Sequence, residues 1–102
     1  MKVEVTQEDI DKAILEVGGN ATRATCCPVT QALKRKSIPG EVHTCSTYVS
    51  IRGGFAFYRL PRKAQDFIDK FDKAHPIFDA PPVGETPGPI TFEMRRVEAK
   101  DL

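Results

Sequence analysis

The chain has 102 residues, 28% of them charged and 40% hydrophobic, with a formal net charge of +1. That length builds one ordinary core, so residues 1–102 read as a single domain, and the charge balance excludes a field strong enough to hold nucleic acid or a membrane surface without a local cluster. No run approaches the roughly 18 apolar residues of a membrane span, Met1 to Thr6 lacks the apolar stretch of a secretory leader, and three cysteines cannot all pair, which together predict a cytoplasmic protein with reduced thiols.

Val3 and Val5 alternate with polar neighbours as in a short strand, and Thr6 then stands where a helix N-cap belongs. Asp9 sits at the position that returns the cap's hydrogen bond, Val5 and Ile10 flank the cap as a hydrophobic staple, and Ile10, Ala13, Ile14 and Val17 keep helical spacing until Gly18-Gly19. Residues 20–25 read as a polar loop. Pro28 suits a first helical position, which puts Cys27 or Thr25 near the N-cap of a second helix over Pro28 to Lys36 with Val29, Ala32 and Leu33 inward. Lys34, Arg35 and Lys36 lie at its negative end.

From Val42 to Leu60 the residues are β-branched or aromatic with period two, broken at Gly53-Gly54, a two-residue hairpin turn. Setting Arg52 opposite Phe55 divides the hairpin into two faces. One holds Val49, Ile51, Ala56, Tyr58 and Leu60; the other holds Tyr48, Ser50, Arg52, Phe55, Phe57 and Arg59. Pro61 opens a third helix in which Ala64, Phe67, Ile68, Phe71 and Ala74 form an apolar stripe meant for the sheet. Residues 76–89 hold five of the eight prolines and read as an irregular surface arm within the domain. Ile90, Phe92 and Met94 alternate with polar residues as a last strand that joins the hairpin or the first strand, and Glu98 to Leu102 should fray. The fold expected is α+β, a small and mostly antiparallel sheet with a central β-hairpin, packed by two or three helices.

The best ligand surface in this pattern is the hairpin face with Tyr48, Arg52, Phe55, Phe57 and Arg59, because flat apolar rings stack bases and guanidinium groups neutralise phosphates. Its bland rival is that Phe55 and Phe57 pack beneath the proline arm or a partner subunit. Thr22, Arg23 and Thr25 precede the second helix, whose free N–H groups suit a phosphate, although Pro28 removes one donor and no glycine-rich cradle is present. Arg62 and Lys63 occupy the positive end of the third helix, a placement that an anion or an acidic side chain answers unless they reach solvent. Cys26, Cys27, His43 and Cys45 offer zinc-ligand types without paired spacing, so they read as buried thiols and no metal or cofactor is expected. Cys27 lacks the accompanying pattern of a catalytic nucleophile, and His75 before Pro76 reads as a helix C-terminal residue, so no catalytic residue is assigned.

Taken together, Val3-Glu4-Val5-Thr6, the helix start Cys27-Pro28-Val29-Thr30-Gln31-Ala32-Leu33, and Leu60-Pro61 leading into Phe67-Ile68-Asp69-Lys70-Phe71-Asp72 resemble small accessory proteins of tailed bacteriophages. Those carry a Cys-Pro-Val-Ala-Leu-Ala-Leu-like helix; this chain departs from them at Thr30 and Gln31, in its doubled cysteine and in its longer proline arm. The resemblance implies phage origin, a place in the host cytoplasm and an accessory role such as blunting host immunity. The function expected from both lines is a non-enzymatic protein that counters host antiviral defence by sequestering a nucleotide-derived signalling molecule, in a homo-oligomer with a pocket between subunits. A direct protein inhibitor of a host defence nuclease or effector, working through a sheet edge and the proline arm, is the alternative. A nucleic-acid-binding module ranks last, given the small net charge.

Overall fold

In the computed structural model, which describes residues 1–17, 27–36, 38, 40–52, 56–76 and 81–101, the opening alternation becomes strand β1 (Lys2–Val5), with Val3 and Val5 buried and Lys2 and Glu4 exposed. Helix α1 (Gln7–Val17) follows at once. Its start is a reciprocal cap: the Asp9 amide donates to Thr6 Oγ1 at 3.2 Å and the Thr6 amide donates to Asp9 Oδ2 at 2.9 Å. Val5 and Ile10 on either side are buried, as the staple requires.

The second helix, α2 (Pro28–Arg35), is capped by Cys27 without a side-chain bond. It is more deeply enclosed than its spacing suggests, since Thr30 and Gln31 are buried along with Val29, Ala32 and Leu33. The polar pair finds partners there: Thr30 and Thr44 share a hydroxyl hydrogen bond of 2.7 Å, and Gln31 Nε2 donates to Glu16 at 2.6 Å. The helix lies against α1, β1 and the next strand, β2 (Glu41–Thr44). Its basic last turn reaches back to the start of the chain, where Lys36 Nζ donates to the Lys2 carbonyl and Arg35 to the Glu4 carbonyl.

Arg35 also pairs with Asp9 at 3.1 Å, across an Asp9 side chain only 5% exposed. Burial pushes the Asp9 carboxyl up, but the bonds from Arg35 and Thr6, with the guanidinium charge, outweigh it and hold the group below its ordinary value of 3.8. A carboxyl depressed in the folded state contributes stability that is fully present above the unfolded pKa and disappears as pH falls through the folded one. Asp9→Asn is therefore expected to unfold at lower denaturant than the wild type at pH 7, with the gap closing below about pH 4. Denaturant midpoints at pH 7 and pH 3 check this, and an unchanged gap contradicts it.

The predicted hairpin is present, with β3 (Tyr48–Arg52) antiparallel to β4 (Ala56–Arg59) and Ile51 opposite Ala56. That register is the one expected from the strand pattern, while the Gly53-Gly54 turn itself lies outside the described residues. The stretch before it is not one arm, however. Cys45 N–H donates to the Tyr48 carbonyl at 2.8 Å, closing a turn over exposed Ser46 and Thr47 that splits β2 from β3 and makes a three-stranded meander. Helix α3 (Arg62–Ala74) buries the five predicted stripe residues and packs beside β5 (Ile90–Glu93).

The predicted last strand joins the first strand, and a further strand that the pattern did not show joins the hairpin. β5 pairs with β1, and β6 (Arg95–Val97) pairs with β4, so the molecule has an antiparallel sheet of order β1-β5 and another of order β2-β3-β4-β6. Met94 alone separates β5 from β6, and its amide and carbonyl both bond to Met1. Residues 81–89 of the proline arm form no helix or strand; Val83 N–H holds them to the Lys73 carbonyl at 2.8 Å, and His75 bonds Thr86 at 2.5 Å. Past β6, the expected fraying is replaced by a 3-10 turn, Ala99–Asp101, tied to β4 by a bond from Arg59 to the Asp101 carbonyl. The architecture is α+β: three helices and two antiparallel sheets among the described residues around one core cluster that includes Val3, Ile10, Leu33, Val49, Leu60 and Phe71.

Candidate functional site

Strand alternation fixes which side chains leave the core. Val42, Val49, Ile51 and Leu60 are buried, and Ala56 and Tyr58 pack half-buried against them. The intervening residues take the outer face, where Tyr48 pairs with Arg59 and Arg59 pairs with Arg95. Directly opposite residues carry their Cβ atoms about 5 Å apart, so one phenol and two guanidinium groups form a single cross-strand row. The adjacent row is His43, Ser50, Phe57 and Val97.

Tyr48 and Phe57 meet diagonally between these rows, their ring centroids 6.4 Å apart at 52°. Both are half-buried and neither belongs to the core cluster, so this aromatic pair faces outward. A hydrogen bond to the Cys45 side chain, the charge of that thiol when ionised, and burial raise the Tyr48 phenol above its ordinary pKa. The ring therefore stays neutral near pH 7.

Beside the rings, Arg59, Arg95, Arg96, Val97, Glu98 and Asp101 line an open cleft of about 650 Å³. Arg59 and Arg95, opposite each other on the outer face, make a local cationic pair of the kind that a net charge of +1 leaves room for; Arg96 also lines the hollow, but its register position is opposite Tyr58, on the core side of β4. Arg59, Tyr48 and Phe57 are residues that the sequence singles out, and the register brings them together. Arg95 and Arg96 are the members that sequence reasoning missed. Their adjacency in the chain was visible, but their placement depends on β6 pairing with β4, a contact between residues nearly forty positions apart.

The other candidates fall elsewhere. Thr22, Arg23, Thr25, Cys26 and Phe55 lie outside the described residues, and so does the side chain of Arg52, whose backbone pairs with Glu41. Arg62 is exposed in the first turn of α3 and bonds Asp66 one turn on at 3.2 Å, so an acidic side chain of its own helix answers it. It is not among the residues of the arginine cleft. His43 Nε2 lies 3.1 Å from Glu41 Oε1. Among the described residues no three His, Cys, Asp or Glu side chains gather as a metal site. His75 caps α3, its amide bonded to the Phe71 carbonyl and its ring 5.0 Å from that of Phe71.

Chemically, the arrangement offers apolar ring surface next to planar guanidinium donors, which suits a ligand with a flat heterocycle and a phosphate. Compared with protein-family models, curated proteins and solved structures, the chain finds no match.

Proposed function

We propose that this protein is a non-enzymatic binding module that sequesters a nucleotide-derived signalling molecule, and that through this it blunts an antiviral defence of the host cell. The observation that carries the reading is the outward row Tyr48, Arg59 and Arg95, with Phe57 diagonal to it. A base stacks on Phe57 with Tyr48 at its edge while a phosphate accepts hydrogen bonds from Arg59 and Arg95.

Calorimetric titration against cyclic oligonucleotides and adenosine-ribose signalling molecules tests the reading. Binding of at least one member is the expected result, and no heat across the panel removes it. A second measurement separates stacking from charge. Phe57→Ala should weaken a bound nucleotide by about 5- to 150-fold, the range of 1 to 3 kcal/mol per stacked base, while leaving the affinity for inorganic phosphate unchanged.

A further inference from the structure

The 3-10 turn Ala99–Asp101 lies on the wall of the cleft where that reading puts the phosphate. Arg59 Nη2 donates to the Asp101 main-chain carbonyl, and the turn is closed by the Asp101 amide bonding the Glu98 carbonyl at 2.9 Å. Glu98 and Asp101 line the same hollow as Arg59, Arg95 and Arg96. Arg59 thus already holds a peptide oxygen, and the residues Glu98 and Asp101 share the lining with it. We infer that this turn is a built-in occupant of the cleft, which an anionic ligand displaces, so that Glu98 and Asp101 set the affinity of the site.

The inference rests on the reading of the cleft as a phosphate site and adds to it the group that the phosphate must replace. Glu98, Lys100 and Asp101 are exposed, and an isolated 3-10 turn has poor hydrogen-bond geometry, so the contact with Arg59 is a bond the turn gives up at small cost. A phosphate oxygen, being charged, is a stronger acceptor for a guanidinium than a neutral carbonyl. Occupant and ligand therefore compete for the same donor, and the competition is reciprocal: weakening the turn tightens the ligand, and the ligand loosens the turn.

The test uses ADP as the probe on the full chain and on E98Q/D101N, with calorimetry for affinity and NMR hydrogen exchange at the Asp101 amide for the turn. The double variant should bind ADP about three- to tenfold more tightly, the scale of removing two surface charges from the vicinity of a bound anion. ADP should speed exchange at Asp101 in the wild type, and without any ligand Arg59→Gln should speed it too. Tighter binding with exchange at Asp101 unmoved by ADP overturns displacement, since charge acting through space then accounts for the gain. Equal affinities, or an Arg59→Gln chain whose Asp101 amide exchanges as in the wild type, overturn it while leaving a bound ADP and the site reading intact. Failure of ADP to bind either chain overturns the inference, while the site reading stands or falls with the calorimetric panel.

Discussion

Replacing Arg59 and Arg95 together by alanine is expected to weaken the nucleotide ligand by about 10²- to 10⁴-fold. Each guanidinium supplies a charge-assisted hydrogen bond to phosphate, a class worth roughly 1.5 to 3 kcal/mol apiece, and two of them amount to about 3 to 6 kcal/mol. The fold should survive, because both residues are exposed on the outer face and neither belongs to the core cluster. Truncating Arg59 also frees the Asp101 carbonyl, which lies at the end of the chain beyond β6 and holds no part of the core. Calorimetry with a ligand from the binding panel, alongside thermal unfolding of the same variant, checks both halves. Retained affinity in a folded R59A/R95A chain would falsify the assignment of the row.

The second large effect lies in the core. Phe71→Ala is expected to cost about 3 to 5 kcal/mol, because the ring is 1% exposed and its loss combines apolar transfer with a cavity. At roughly 4 to 8 °C per kcal/mol for a domain near this size, the unfolding midpoint should drop by about 12 °C or more. Against a total stability of about 5 to 15 kcal/mol, that is a large share. Phe57→Ala, the same chemical change on the outward face, should shift the midpoint far less. The contrast decides whether the two phenylalanines occupy different environments: equal losses would place Phe57 in the interior and close the ligand surface.

Features set by residues a few positions apart were legible in the sequence. The cap at Thr6 and Asp9 involves two groups within three residues, the α3 stripe follows from helical spacing alone, and the β3–β4 register matches the one read from Gly53-Gly54 in the sequence. The turn at Cys45 to Tyr48 was hidden because β-branched and aromatic residues continue on both sides of Ser46 and Thr47, with no glycine or proline to mark the reversal. The pairings of the last two strands depend on contacts from residue 1 to 94 and from 59 to 95, which no local pattern carries. The same holds for the site. Tyr48, Phe57 and Arg59 were readable because one hairpin presents them, whereas Arg95, Arg96 and the turn bonded to Arg59 enter through long-range pairing.

An NMR titration of the uniformly labelled chain with the tightest ligand of the calorimetric panel tests the central claim most directly. Amide shifts should move at Tyr48, Phe57, Arg59, Arg95 and Arg96 and stay fixed at Val3, Ile10 and Leu33. Shifts confined to surfaces away from β3, β4 and β6 would contradict the account.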